Sequence, residues 1–202
     1  MNQRLNKVSE TQSSTSFSVV PLEIEGLVLI QLALHGDERG FFTERFNLER
    51  FSEHLLPTSF VQDNHSRSAP GTLRGLHFQH SPPQGKLVGV TRGRILDVAV
   101  DIRLGSATYG KNVAVELSDV NGRLLWVPAG FAHGFCVVGN QPADVVYKVD
   151  SHYAVTGEGG IRWDDKQLAI KWPVMKPVVS DRDQNLATFE DYTAHPPHWG
   201  QI

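Results

Sequence analysis

Two histidines and a lysine stand in glycine-rich segments of this chain, and their side chains are suited to proton transfer. His77 ends the segment 71–77, Lys86 begins the segment 86–93, and His133 ends the segment 130–133. A histidine can act as a general base, because its unperturbed pKa of ~6.5 lies close to working pH. A lysine ammonium attracts anions or polarises a carbonyl group. Together these residue types predict removal of a proton beside a developing oxyanion.

The same segments resemble the two halves of the cupin signature, carried by small antiparallel barrels that point a few polar side chains into their own lumen. The halves are residues 71–77 with 86–93, and residues 122–128 with 130–133. A metal-binding cupin has His-x-His and then a Glu in its first half; here Gln79 replaces the second His and Lys86 replaces the Glu. A cation in place of an anionic ligand disfavours a divalent metal. The resemblance therefore implies a site without a metal or another cofactor.

Length and composition favour one all-β domain. The chain has 202 residues with 40% hydrophobic content, 18 glycines and 11 prolines, which favours many short strands over long helices. We expect a mobile tail over residues 1–16 and a single domain over residues 17–202. The predicted fold is a cupin or jelly-roll antiparallel β-barrel with a few short helices, mainly C-terminal.

Composition also bears on partners and location. The net charge of −3 argues against a general nucleic-acid binder, which relies on a basic patch. No stretch approaches the ~20 apolar residues of a membrane span. Cys136 is the only cysteine, so no disulfide forms within the chain, and its apolar neighbours predict a buried residue that is not a nucleophile. A cytoplasmic protein is expected.

Periodicity predicts the elements that position these residues. Strands are expected in short alternating segments: 19–24, 27–34, 41–44, 59–65, 72–79, 86–90, 95–103, 111–117, 124–127, 134–138, 144–149 and 168–172. Asn47 can cap a helix over residues 48–55, and residues 183–192 are expected to be helical. The segment after Tyr153 is expected to cover one mouth of the barrel.

One strand carries acids whose direction the sequence leaves open. In 95–103 a period of two places Val98, Val100 and Ile102 on one face, and Asp97, Ala99 and Asp101 on the other. The acidic face is either solvated or turned into the lumen. In the second case one of the two acids neutralises Lys86.

Six motifs in order resemble the dTDP-4-dehydrorhamnose 3,5-epimerase family, from about residue 17 to about residue 192. They are Gln-Asp-Asn-His-Ser at 62–66, Leu-Arg-Gly-Leu-His-Phe-Gln at 73–79, Gln-Gly-Lys-Leu-Val at 84–88, Asp-Val-Ala-Val-Asp-Ile-Arg at 97–103, the segment 128–135, and Tyr-Lys at 147–148. The resemblance implies inversion of carbons three and five of a dTDP-4-keto-6-deoxyhexose, in the pathway to activated L-rhamnose.

The resemblance also implies roles for individual residues. His77 corresponds to the base, Asp183 to the carboxylate that pairs with it, and Tyr147 to the acid on the opposite face, while Asp181 remains an alternative to Asp183. Lys86 is suited to stabilising the enolate. His133 and Arg74 correspond to residues that line the same pocket.

The nucleotide end corresponds to a second set of residues. Arg39 and Glu44 match residues that reach the nucleotide from a partner subunit, which implies a homodimer with exchanged N-terminal strands. The remaining matches are Gln62, Asp63 and Asn64 around the base and phosphates, Tyr153 on the thymine, and Glu158 and Arg182 at the sugar and diphosphate. The position of Arg182 more often holds a lysine in the family, and either cation can meet a phosphate.

Three alternatives stay open. A metal-dependent cupin would take His77 and His133 as two of its ligands, although Gln79 and Lys86 disfavour the rest. A non-catalytic cupin would bind a nucleotide sugar but is expected to have lost the base or its partner. A relative that inverts only one carbon of another deoxysugar is not separable from a double epimerase by sequence.

Overall fold

The computed structural model describes residues 16–199, which form two antiparallel sheets facing each other. The strands are β1 (Ser18–Pro21), β2 (Val28–Gln31), β3 (His35–Asp37), β4 (Gly40–Phe42), β5 (Gln62–Ser68), β6 (Leu73–Gln79), β7 (Lys86–Arg92), β8 (Arg94–Asp101), β9 (Asn112–Ser118), β10 (Arg123–Val127), β11 (Phe131–Val137), β12 (Ala143–Val149) and β13 (Glu158–Gly160). The helices are α1 (Leu48–Glu53), α2 (Asp181–Gln184) and α3 (Phe189–Ala194), with one 3-10 turn at Val155–Gly157.

The strand order confirms the predicted jelly-roll barrel. One sheet has six strands in the order β1-β2-β10-β7-β12-β5, and the other has five in the order β13-β6-β11-β8-β9. Within residues 16–199, strands β3 and β4 pair only with each other and form a separate hairpin. The predicted tail over residues 1–16 lies, apart from Ser16, outside the described residues.

The core between the sheets consists of alternate residues from both of them. Val88, Leu125 and Val145 of the six-stranded sheet are buried in one cluster with Ala99 and Phe135 of the five-stranded sheet. At about 25 cal/mol per Å² of buried apolar area, such side chains each contribute about 2 kcal/mol.

Strand β8 keeps the predicted period of two, but both of its faces are buried. Val98, Val100 and Ile102 pack under the C-terminal segment, and Asp97 and Asp101 are fully buried on the other face. Asp101 accepts hydrogen bonds at the end of the strand, from Arg103 at 2.9 Å and from Ser106 and Thr108 at 2.6 Å. Only Asp97 is left for the lumen.

The C-terminal segment differs from its prediction in two ways, and its packing is more extensive than expected. Its apolar residues Leu168, Phe189 and Tyr192 pack against Val98, Val100 and Ile102 of β8 on the outer face of the five-stranded sheet. The predicted strand 168–172 is not a strand, since Ala169 has a φ of 48°. The predicted helix 183–192 is two short helices, α2 and α3, and Thr188 caps the second.

The N-terminal elements agree in part with the prediction. Asn47 caps α1 by accepting a hydrogen bond from the amide of Arg50 at 3.1 Å. The strands predicted at 19–24 and 27–34 are shorter than expected, and residues 35–40, where no strand was predicted, form most of the β3–β4 hairpin. Among the helices of residues 16–199, none has the length and apolar character needed to cross a membrane.

Candidate active site

His77 lies on β6 with its ring held by a carboxylate from the C-terminal segment. Its Nε2 is 2.8 Å from Oδ1 of Asp183, and the other oxygen of Asp183 accepts a hydrogen bond from the Gly75 amide at 3.0 Å. Burial would raise the pKa of Asp183, but the hydrogen bonds from His77 and Gly75 outweigh it and lower that pKa. A carboxylate on Nε2 fixes the tautomer, so the lone pair of Nδ1 is available to accept a proton.

Local backbone chemistry explains why Asp183 and not Asp181 makes this contact. Ser180 caps α2 by accepting a hydrogen bond from the Asp183 amide at 3.1 Å, which turns the Asp183 side chain inward. Asp181, two residues earlier, lies on the exposed side of the same turn. Gly75 has a φ of 125°, which residues with a side chain rarely adopt, and its amide is thereby directed at the carboxylate.

A second imidazole–carboxylate pair lies beside the first. His133 on β11 stands directly opposite His77 on β6, and its Nε2 is 2.8 and 3.0 Å from the two oxygens of Asp97. Both members of this pair are buried. The sequence left the direction of Asp97 open, and only the register of β8 against β11 brings it to His133.

Lys86 and Tyr147 come from the opposite sheet. Burial lowers the pKa of Lys86 to about 8, against the attraction of Glu158 and Asp97. Burial also raises the pKa of Tyr147, against the effect of Arg74. Among residues 16–199, the Lys86 side chain has no hydrogen bond or ion pair, so a desolvated ammonium is available in the lumen.

The mouth of the lumen is lined by a separate polar network. Oε2 of Glu158 is 2.8 Å from the hydroxyl of Tyr153, which donates to it, and 2.7 Å from the Arg182 guanidinium. The Tyr153 amide donates to Gln62 at 3.3 Å, and Gln62 donates to Asn64 at 2.8 Å. Tyr153 is half exposed, so one face of its ring is accessible.

Three predicted site residues are not brought to this lumen. Asp63 alternates with Gln62 and Asn64 along β5 and therefore points to the outer face, where Lys148 pairs with it at 2.9 Å. Arg39 lies in the β3–β4 turn and is paired with Asp37. Glu44 is paired with Arg50 at 2.7 Å. Arg39 and Glu44 contact none of the lumen residues of their own chain.

Arg74, by contrast, lies at the rim of the lumen, where its Nε donates a hydrogen bond to the Ser68 hydroxyl at 3.0 Å.

The donor set does not suit a metal. In the described part of the chain no three His, Cys, Asp or Glu side chains converge on one point. The amide nitrogen of Gln79 donates to the carbonyls of Pro82 and His152, at 2.9 and 3.0 Å, and therefore serves the backbone.

A jelly-roll barrel with His–Asp pairs, a lysine and a tyrosine around its lumen defines a class of protein, the cupin-type epimerases that act beside a carbonyl group. The family model described as dTDP-4-dehydrorhamnose 3,5-epimerase matches residues 21–191. The chain belongs to this family.

Relatives and solved structures agree with this assignment. A dTDP-4-dehydrorhamnose 3,5-epimerase of Shigella flexneri is 49% identical over 86% of this chain and 97% of its own length. The crystal structure of a dTDP-6-deoxy-D-glucose-3,5-epimerase from Legionella pneumophila, in complex with dTDP-4-keto-L-rhamnose, has a TM-score of 0.86 at 44% identity and covers 93% of this chain and 100% of that one. A dTDP-4-dehydrorhamnose 3-epimerase of Streptomyces niveus is 39% identical over 82% of this chain and 80% of its own.

Proposed function

We propose that this protein is a dTDP-4-dehydrorhamnose 3,5-epimerase, which inverts carbons three and five of dTDP-4-keto-6-deoxyglucose in the synthesis of dTDP-L-rhamnose. The observation that carries the proposal is the His77–Asp183 pair in the lumen, facing a sheet that presents Lys86 and Tyr147. Proton abstraction beside a ketone needs a base, a group that stabilises an oxyanion and an acid, and these residues supply all three. A cytoplasmic location is part of the proposal.

Each inversion proceeds as two proton transfers. Nδ1 of His77 takes the proton from the carbon next to the ketone, and the bonding electrons move onto the ketone oxygen to give an enolate. The ammonium of Lys86 stabilises that oxygen in a lumen of low dielectric. The Tyr147 hydroxyl then donates a proton to the same carbon from the opposite face, so product and substrate are isomers. Proton exchange with solvent returns the His77 imidazolium and the Tyr147 phenolate to their starting forms before the next inversion. Asp183 stabilises the imidazolium that forms on His77.

The nucleotide binds at the mouth in this proposal. Arg182 holds the diphosphate, Tyr153 stacks on the thymine, and Gln62 and Asn64 contact the base and phosphates. Glu158 contacts the sugar end, and Arg74 and His133 line the pocket around the ring.

Solvent deuterium incorporation tests the function. The enzyme is incubated with dTDP-4-keto-6-deoxyglucose in D₂O, and proton NMR follows the signals of carbons three and five. Loss of both signals, with formation of the doubly inverted sugar, is expected. No exchange at either carbon would contradict an epimerase.

A single-inversion epimerase is the second candidate, favoured by the similarity to the 3-epimerase of Streptomyces niveus. The same spectrum separates the two, because a single-inversion enzyme gives a product inverted at one carbon only.

We further propose a homodimer in which the N-terminal strands of one protomer join the sheet of the other. Phe41 and Phe42 on the β3–β4 hairpin are 58% and 69% exposed, which is unfavourable for an isolated chain. Among residues 16–199, β5 has β12 as its single neighbour, so its other edge is available for pairing. This arrangement would carry Arg39 and Glu44 to the nucleotide end of the partner's site.

The outer face of the six-stranded sheet offers a place for the partner. A cleft of about 630 Å³ lies there, and its apolar lining is Phe46, Leu87, Leu124 and Val146. The exposed phenylalanines of a second hairpin match this lining in character.

A further inference from the structure

Glu158 connects the two ends of the site. Its carboxylate is bound by Arg182 and Tyr153, the two groups assigned above to the diphosphate and the thymine. The Glu158 side chain is only 16% exposed, and its charge also acts on Lys86 and Tyr147. One carboxylate therefore faces both the nucleotide end and the groups that move protons.

A bound nucleotide can displace the contacts of Glu158 with Arg182 and Tyr153. The Arg182 side chain is 54% exposed, and an ion pair on such a group is weak because solvent screens it. A diphosphate carries more charge than a carboxylate and can accept a bidentate guanidinium contact. A nucleotide that takes Arg182 and the Tyr153 ring leaves the Glu158 carboxylate without its partners in a largely buried position.

Lys86 is the group that suits the released carboxylate. The other lumen acids are already bound, Asp183 to His77 and Asp97 to His133. The Lys86 ammonium has no bonded partner in residues 16–199, and the charge of Glu158 already attracts it. The charged groups that act on Lys86 are Glu158 on β13 and Asp97 on β8.

We propose that Glu158 changes partners when a nucleotide diphosphate binds: it leaves Arg182 and Tyr153 and moves to Lys86, so that occupation of the nucleotide end keeps the enolate-stabilising cation charged. Glu158 is thus a positioning residue for Lys86. The inference rests on the proposed function for the role of Lys86, although the change of partner itself is a property of nucleotide binding. Substrate that lacks its nucleotide would meet a lysine that loses its proton more easily.

The test measures Lys86 directly. Lysine side chains are labelled with ¹³C at the ε carbon, the Lys86 signal is assigned by its loss in Lys86→Gln, and its pKa is followed by NMR with and without saturating dTDP. In the wild-type protein dTDP is expected to raise that pKa by about one unit, because an opposite charge within a few Å shifts a pKa by that amount or more. In Glu158→Gln the pKa starts lower and the rise falls to less than half.

Two further variants make the result specific. Tyr153→Phe removes one bond to Glu158 and is expected to raise the Lys86 pKa without dTDP, the opposite direction to Glu158→Gln, so a general loss of structure cannot produce both. Glu116→Gln is the matched control, because Glu116 also pairs with an arginine, Arg94 at 3.7 Å, but away from this site. It should leave the Lys86 titration as in wild type. An equal rise with dTDP in wild type and Glu158→Gln would overturn the proposal.

Kinetics separate this inference from the function itself. The alkaline limb of kcat, which reports the enzyme–substrate complex, should lie at higher pH than that of kcat/KM, which reports the free enzyme, and the gap should narrow in Glu158→Gln. Absence of turnover with a normal NMR response to dTDP would refute the proposed reaction and not the change of partner. Turnover with unchanged limbs in Glu158→Gln would refute the change of partner alone.

Discussion

At the scale of single residues, the three carboxylates of the lumen differ in the groups that they bind. Asp183 and Asp97 each bind one imidazole, and Glu158 binds groups at the mouth. The two histidines are neighbours across a strand pair, yet only His77 is partly exposed, with a quarter of its side chain accessible. Access to substrate therefore favours His77 as the base, and His133 lines the pocket beside it.

Replacing the base should stop exchange without releasing the nucleotide. His77→Asn is expected to reduce deuterium incorporation at both carbons by about 10²–10⁴-fold, the usual contribution of a general base. Binding of dTDP, measured by calorimetry, should change little, because the nucleotide contacts lie at the mouth. His54→Asn, at the exposed end of α1, is the matched control. Wild-type exchange in His77→Asn would show that another residue is the base.

Removing the acid should have a different signature. Tyr147→Phe keeps the ring but loses the proton donor, so the enolate still forms and takes deuterium from solvent. Formation of the doubly inverted product, followed by NMR, is expected to fall or to be redirected to a partly inverted sugar. If the amount of that product does not change, Tyr147 is not the acid.

At the scale of elements, the contact between β6 and β11 positions the base. A Cβ atom on Gly75 would lie 2.6 Å from the Cα of Gly134, so the two strands approach more closely there than side chains allow. The same glycine directs its amide at Asp183. The geometry of the His77–Asp183 pair thus depends on a backbone position that carries no functional side chain.

Substitution of this glycine tests that dependence. Gly75→Ala is expected to lower the free energy of unfolding by more than about 2 kcal/mol, since it adds a backbone clash to an unfavourable positive φ. Gly105→Ala is the control, because Gly105 also has a positive φ, +82°, but nothing lies within 4 Å of its added Cβ. Because its positive φ is the single source of strain, the cost of Gly105→Ala should be about 1 kcal/mol. Equal costs in denaturant titrations would show that the close approach is not rigid.

At the scale of the whole molecule, the proposed catalytic residues lie at the polar end of the barrel, and apolar side chains pack on its outer faces. The C-terminal segment covers one outer face. Part of the other is covered by α1 and the N-terminal strands, and the cleft lies in the remainder. A second protomer on that face would bury the exposed phenylalanines and complete the nucleotide end of each site.

Mixed dimers test whether sites are shared. His77→Ala and Arg39→Ala chains are each expected to be impaired, and mixing them should restore activity, because a mixed dimer holds one site with both residues intact. Size-exclusion chromatography with light scattering checks that dimers form, and exchange of differently tagged chains shows that they mix. Activity that stays absent in verified mixed dimers would show that Arg39 does not act across the interface. A monomer at working concentration would contradict the dimer.

The sequence by itself determined the residue types and the architecture. Period-two alternation, glycine and proline placement and the cupin-like segments predicted an all-β barrel, because strand faces and turn chemistry are local properties. The same segments identified His77 and Lys86 as groups with the right chemistry, and the family resemblance added Tyr147. What the sequence did not fix was where each helix and strand ends: the helix expected at 183–192 is interrupted, because the cap at Thr188 restarts it.

Only the tertiary structure decided which of these residues meet. Asp183 rather than Asp181 reaches His77 through the cap at Ser180, and Asp97 rather than Asp101 reaches His133 through the register of β8 against β11. Asp63 turns outward although its neighbours turn inward. The directions of Asp97 and Asp63 depend on pairing with strands that are distant in the chain. A shift of either strand by one residue would turn its acid to the opposite face of the sheet. Local pattern specifies faces, and long-range packing specifies partners.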